Sequence, residues 1–171
     1  VRIIGSTEAL SLQAVPQRLV VIGAGYIGLE LGSVYAKLGS QVAVVEFLPR
    51  VAPNLDPEVG KALTRRLKKL GITLHLEHRA EAFEAGEPTV VVARGPAGEA
   101  LRLEADLVMV TVGRLPNTEN LGLEAAGVAV DGKGFITVDD RQRTSAPGIY
   151  AIGDVAGGAL LAHKAYQEAK V

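Results

Sequence analysis

Leu19 to Gly23, "LVVIG", is an unbroken aliphatic run of the kind that a strand buried on both faces requires. From Gly25 the apolar positions recur at helical spacing, Ile27, Leu31, Val34, Tyr35 and Leu38, until Gly39, a residue suited to ending a helix. "QVAVVE", Gln41 to Glu46, supplies a second strand, and "LPRVAPNL" is a proline-bearing loop. Asp56 then caps a helix with Pro57 at its first position. In that helix, "PEVGKALTRRLKKL", Val59, Ala62, Leu63, Leu67 and Leu70 share one face, and the basic residues form a solvated surface elsewhere. Strand, glycine turn, helix and strand make a βαβ unit.

The next segment abandons that alternation. "ITLHLEHRA" from Ile72 predicts a single strand on which His75 and His78 face opposite sides, so the two do not pair on a metal. "AEAFEAG", "TVVVARG" and "EALRLE" read as short antiparallel strands joined at Gly86, Pro88 and "GPAG", a β-meander in place of another helix. "DLVMVTVG" from Asp106 returns to a buried strand. The pattern predicts an α/β fold, a Rossmann-type parallel sheet with an antiparallel β-meander crossover, over residues 16–118. Residues 1–15 carry a short strand and a turn and are expected to be a linker. After "GRLPNT" the character changes, and "GFITVDD", "GIYAIGD" and a last helix near "LAHKAYQEAK" form a second, incomplete unit expected to pack poorly over 119–171.

Composition narrows the partners. The 171 residues are 48% hydrophobic but only 4% aromatic, with no Trp, so the core must be built from Val, Leu, Ile and Ala. Eighteen basic against nineteen acidic side chains give a net charge of −1, no field for gathering nucleic acid. The longest stretch without a charge, Leu19 to Leu29, is about half of the ~20 residues that a membrane span needs and contains three glycines. The expectation is a soluble, cytoplasmic protein with no membrane and no nucleic-acid partner. The chain has no cysteine, which excludes a disulfide scaffold and thiol redox chemistry within it.

Gly23, Gly25 and Gly28 make a GxGxxG turn with a strand before it, a helix after it, and an acid, Glu46, ending the next strand about 20 residues on. Each part has a physical reason. Gly23 permits the tight turn, Gly25 lets a pyrophosphate approach the backbone, and Gly28 lets helix and strand pack closely. Gly28, Gly32 and Ala36 continue a small-residue stripe, in which close backbone packing would offset the cost of glycine inside a helix. N–H groups at the helix start meet phosphate. Glu46 can accept hydrogen bonds from ribose hydroxyls, and its charge repels a 2′-phosphate, which favours NAD over NADP. Arg50 lies in the proline loop, four residues beyond the strand. S-adenosylmethionine or FAD on the same turn, and a plain tight connection with Glu46 as a surface acid, stand as the alternatives.

"GAGYIGLELGSVYAKLGSQVAVVE", "VTVGRLPNT" and "AIGDVAGGALLAHKA" resemble the pyridine nucleotide-disulfide oxidoreductases over nearly the whole chain, and "LLAHKA" resembles most the dihydrolipoyl dehydrogenase branch. The resemblance implies roles. Gly23, Ala24, Gly25, Tyr26, Ile27, Gly28 and Glu30 would form the NAD turn, Tyr26 near the nicotinamide entrance and Glu30 near its carboxamide, while Glu46 holds the ribose. Ala80 would meet the adenine through its backbone, and Gly113 would pass close to the nucleotide. Residues 119–171 would be the return segment of an incomplete FAD-binding domain. There, Asp154 would bond the ribityl chain, and Leu160, Leu161, Ala162 and His163 would start the helix that faces the flavin. His163 would act there through its backbone.

The resemblance further implies a parent homodimer within a 2-oxo acid dehydrogenase complex, passing hydride from reduced FAD to NAD+ as dihydrolipoamide is reoxidised. NADH oxidase, mercuric reductase and transhydrogenase are neighbouring activities on the same framework, and a non-enzymatic nucleotide-binding module is a further alternative. The redox disulfide and the His and Glu pair that serves as base have no counterpart here. The chain is therefore expected to be an excised portion without a catalytic side chain, able to bind NADH and unable to hold FAD stably.

Overall fold

The computed structural model describes residues 2–171, in two compact units divided after Gly113. In the first unit the strands are β1 (Ile3–Ile4), β2 (Arg18–Ile22), β3 (Gln41–Val45), β4 (Thr73–His75), β5 (Arg79–Glu84), β6 (Thr89–Arg94), β7 (Ala100–Ala105) and β8 (Leu107–Val110). Helices α1 (Ser6–Ala9), α2 (Tyr26–Lys37) and α3 (Pro57–Lys69) connect the early ones. Five strands form a parallel sheet in the order β1-β8-β2-β3-β4, and β5-β6-β7 form a separate antiparallel sheet.

Period-2 alternation decides which residue goes to which layer. Leu19 and Val21 of β2, Val42 and Val44 of β3, and Leu107 and Met109 of β8 pack with Leu29 and Tyr35 of α2 and Leu67 of α3. Val20, Ile22, Val45 and Val108 point the other way, onto Val91, Ala93 and Ala105 of the antiparallel sheet. The meander thus covers a face that would otherwise need a helix. Leu19, Leu67 and Met109 are almost wholly buried, each contributing about 1.5–3 kcal/mol of hydrophobic stabilisation.

Within the segment 1–15 expected as a linker, Ile3, Ile4 and Ala9 pair with or pack into the first unit. Ile3 and Ile4 pair with Val108 and Met109 at the sheet edge, Ala9 is buried, and the Tyr35 hydroxyl donates to the Ala9 carbonyl. The strand expected across "ITLHLEHRA" is broken. The chain turns at Leu76–His78, with Glu77 at φ 56°, and β4 and β5 enter different sheets. His75 and His78 therefore do not face opposite sides; their rings meet edge to face with centroids 5.7 Å apart. His78 Nδ1 lies 2.6 Å from the Leu76 carbonyl oxygen, and burial first, then His78, lowers the His75 pKa. Among the described residues no cluster of three or more His, Asp or Glu side chains is arranged to hold a metal.

Both helices bury a narrower stripe than their periodicity indicates. Val34 of α2, Leu38 just after it and Val59 of α3 are about half exposed, and Ala62 is exposed too. The buried faces run instead through Gly28, Leu29, Gly32 and Tyr35, and through Gly60 and Leu67. Asp56 caps α3 as expected, its side chain accepting the Glu58 N–H at 2.8 Å.

The second unit, Arg114–Val171, has little regular structure: two isolated β-bridges, a 3₁₀ turn at Gly153–Ala156 and helix α4 (Ala162–Glu168). It nevertheless has a core of its own, Val128, Ile136, Ala146 and Ala151, with Leu123, Val138, Val155 and Ala156 packed against it. No helix among the described residues is long and apolar enough to cross a membrane.

Candidate functional site

β2 leads to α2 and β3 on one side of the sheet, while β8 arrives on its other side, so the chain reverses direction of travel between β2 and β8. Ligands of open α/β sheets bind outside the carboxyl ends of the strands at such a switch point. The glycine turn follows β2 there, and Thr111 to Gly113 follow β8 there.

The three glycines have three separable causes. Gly23 has φ +100°, and a methyl group on it would lie 2.7 Å from the Thr111 carbonyl oxygen. Gly28 sits under the helix, where a methyl group would come within 2.4 Å of Thr111 Oγ1 and 2.5 Å of the Gly23 oxygen. Gly25 is different. Its φ of −73° and ψ of 173° suit any residue, and nothing lies within 4 Å of where its Cβ would be. Neither backbone strain nor internal packing requires glycine at this position. Gly25 is also the residue preceding α2, and no side chain caps that helix. Its start therefore presents main chain and the positive end of the helix dipole to the space in front of Gly25.

Glu46 is buried, 5% exposed, which removes the reading of it as a surface acid. One carboxylate oxygen accepts the Ala24 N–H at 2.7 Å and the other accepts the Leu48 N–H at 2.8 Å. Each oxygen keeps a second lone pair, so a vicinal diol can still be accepted. The backbone around it is fixed as well: the Glu46 N–H donates to the His75 carbonyl and the Glu46 carbonyl accepts from His78, at 2.9 Å each. Arg50 Nη2 donates to the Pro53 carbonyl.

Tyr26 is 43% exposed and Glu30 is exposed on the outer side of α2, whereas Ala24 is fully buried and Ile27 partly so. Ala80 is the second residue of β5, two residues beyond His78, half-buried and paired with Ala93. Gly113 has φ +142° and open space around it. In the second unit Asp154 lies in the 3₁₀ turn and pairs with Arg114, Nη1 to Oδ2 at 2.9 Å. Leu160 and Leu161 precede α4, and Ala162 and His163 open it. Lys164 and Glu168 tie that helix to the 3₁₀ turn: Glu168 accepts the Gly153 N–H at 2.8 Å and pairs with Lys164 Nζ at 2.6 Å. Burial pushes the Glu168 carboxyl up, yet the Lys164 ammonium and the Gly153 N–H outweigh it, and its pKa lies below the usual value.

Two residues at the site gave no signal in the sequence. Thr111 shares its hydroxyl proton between the Ile22 and Gly23 carbonyls, at 3.1 and 3.2 Å. Ala52, in the loop after β3, donates its N–H to the Ala24 carbonyl at 2.8 Å from a φ of 44°, a conformation uncommon outside glycine. A small polar residue after a strand and an alanine in a proline loop look like any other; only their contacts single them out.

Fold and turn together define a Rossmann-type α/β unit whose glycine turn is open at Gly25. The chain belongs to the pyridine nucleotide-disulphide oxidoreductase family, whose model matches residues 1–169. It is 49% identical over 172 residues to dihydrolipoyl dehydrogenase 3 of Pseudomonas aeruginosa, a match covering 99% of this chain and 37% of that protein. It is 47% identical over 169 residues to mitochondrial dihydrolipoyl dehydrogenase 1 of Arabidopsis thaliana, covering 98% and 33%. The solved HOCl-induced flavoprotein disulfide reductase RclA of Escherichia coli superposes with a TM-score of 0.87 at 29% identity, covering 99% of this chain and 38% of that one. The chain spans about a third of the length of these relatives.

Proposed function

We propose that residues 16–118 bind NAD(H), with the diphosphate against Gly25 and the start of α2 and the adenosine ribose on Glu46. The observation that carries this reading is Gly25, a glycine that the protein's own conformation and packing do not require. The buried acid beside it supports NAD over NADP, because a 2′-phosphate would meet a carboxylate of like charge. Ala80 and Gly113 flank the same site as adenine and nicotinamide neighbours.

The relatives support a reading of the wider activity. The 42–49% identity to bacterial dihydrolipoyl dehydrogenases, against 29% to the flavoprotein disulfide reductase of E. coli, favours dihydrolipoamide oxidation over the other family activities. In that reading Asp154 and the segment Leu160 to His163 belong to an FAD site, and the protein works as a homodimer in a 2-oxo acid dehydrogenase complex. Bound NAD+ is the hydride acceptor. In that reading the residues of this chain would hold and orient the nucleotide: the helix start would hold the diphosphate, Glu46 the ribose, and Gly113 would lie beside the nucleotide. With no cysteine among its 171 residues, the chain contributes no disulfide to the reaction.

Titration with NADH and NADPH, followed by nicotinamide fluorescence, tests the reading. NADH is expected to bind at least about tenfold more tightly, a difference of ~1.4 kcal/mol. Gly25→Val is expected to abolish NADH binding without unfolding the protein. Equal affinity for the two nucleotides, or undiminished NADH binding after the Gly25→Val substitution, contradicts the assignment.

A further inference from the structure

The Gly23–Ala24 peptide is held at both ends by side chains from neighbouring strands. Its carbonyl accepts the Thr111 hydroxyl at 3.2 Å, from beyond β8, and its N–H donates to Glu46 Oε2 at 2.7 Å, from beyond β3. The peptides on either side are held by main chain: the Gly23 N–H donates to the Val45 carbonyl and the Ala24 carbonyl accepts the Ala52 N–H, both at 2.8 Å. Every peptide leading up to Gly25 is therefore fixed in orientation before a ligand arrives. A preformed site avoids the cost of ordering the turn on binding.

From this arrangement we infer that Thr111 is a positioning residue for the diphosphate, acting through the Gly23 carbonyl, and that Glu46 has a second task as its counterpart on the Ala24 N–H. The inference rests on the nucleotide reading given above. Thr111 does not touch the ligand. Its hydroxyl sets the tilt of the Gly23–Ala24 peptide, and that tilt sets where the main chain at Gly25 and the start of α2 points. The Thr111 side chain also fills the space beside Gly28, so the hydroxyl is fixed by the same close packing that requires glycine there. The arrangement gives Glu46 variants a different signature from a simple ribose contact: loss of the carboxylate loosens the turn for every dinucleotide.

The test compares ligands with and without a diphosphate. Thr111→Val replaces the hydroxyl with a methyl of similar size and keeps the backbone N–H that donates to Ile22. ADP-ribose and NADH are expected to bind this variant about fivefold more weakly, the usual worth of one neutral hydrogen bond. Adenosine, followed by NMR shift titration, is expected to bind unchanged, and Thr111→Ser, which restores the hydroxyl, is expected to recover the dinucleotide affinity. A merely structural role would lower all ligands together and would not be rescued by Ser. The inference is overturned if T111V binds ADP-ribose as the wild type does, or if adenosine affinity falls by the same factor. Should T111V not fold, Thr111→Ala carries the same comparison. Wild-type protein that binds adenosine but gains nothing from the diphosphate of ADP-ribose removes the nucleotide reading itself, a result distinct from failure of the Thr111 variants alone.

Discussion

At the scale of single residues, the glycines of one motif separate by what a methyl group would meet. Gly25→Ala is expected to leave the melting temperature unchanged, because its φ is ordinary and its surroundings are open, while NADH affinity falls by roughly tenfold or more. Gly28→Ala is expected to destabilise the fold by about 1–3 kcal/mol, the usual cost of overpacking, since the added carbon collides with Thr111 and the Gly23 carbonyl. Thermal melts alongside NADH titrations distinguish the two. Asp139 offers a pH test in the second unit. Its carboxylate takes the Arg143 guanidinium at 2.7 Å and the Arg143 and Arg141 N–H groups at 2.9 Å each, which together hold its pKa at about 2. A depressed carboxylate pKa stabilises the folded state above the ordinary value of 3.8 and loses that contribution as pH falls toward 2. Carbon-detected NMR of Asp139 is therefore expected to show no titration down to about pH 3, and Arg143→Ala is expected to return the midpoint toward 3.8.

At the scale of elements, the stripe Gly28, Gly32, Ala36 illustrates what spacing conveys and what it conceals. The pattern reads as a uniform close approach of helix to sheet, but the approach is tight only at Gly28. A methyl group at Gly32 would lie 3.6 Å from Val21 and Val42, an ordinary contact. Gly32→Ala is therefore expected to raise stability by about 1 kcal/mol through helix propensity alone, measurable by urea denaturation, with nucleotide binding intact. Strands β2, β3 and β8 were legible because continuous aliphatic runs have few other homes, whereas the bonds that Glu46 accepts from Ala24 and Leu48 were not. The break between β4 and β5 was not legible. "LHLEH" alternates apolar and polar residues as a strand does, and the turn rests on Glu77 adopting φ 56° and on bonds to Glu46 and Leu48 from elsewhere in the chain. Long-range hydrogen bonds leave no local trace. The same holds for Thr111 and Ala52, whose roles come from what lies across the fold.

At the scale of the whole molecule, the first unit is three layers deep, with helices on one face of the parallel sheet and the meander on the other. The replacement of a crossover helix by a meander could be read from the sequence, because short runs separated by Gly and Pro cannot form a helix of useful length. That the short strand near the start joins the sheet edge at Ile3–Ile4 could not, since pairing with β8 leaves no local trace. The second unit, Arg114–Val171, relies on side-chain to main-chain bonds at Asp131, Asp139, Thr144 and Ser145 more than on regular structure, which is why its order was not legible from hydrophobic spacing.

The hairpin between β5 and β6 has an outcome for engineering. Gly86 to Thr89 share a shallow cavity with Arg2, Arg18 and Asp106, at the ends of β2 and β8 opposite to the glycine turn. Extra chain inserted between Ala85 and Gly86 costs little, because loop closure entropy grows slowly with length. A peptide tag of a dozen or so residues placed there is expected to leave NADH affinity within about twofold of the parent, whereas the same tag between Phe47 and Leu48 abolishes it. The meander thus provides a tether point: a label, a surface anchor or a second protein can be attached on the far side of the sheet while the glycine turn stays open to solution.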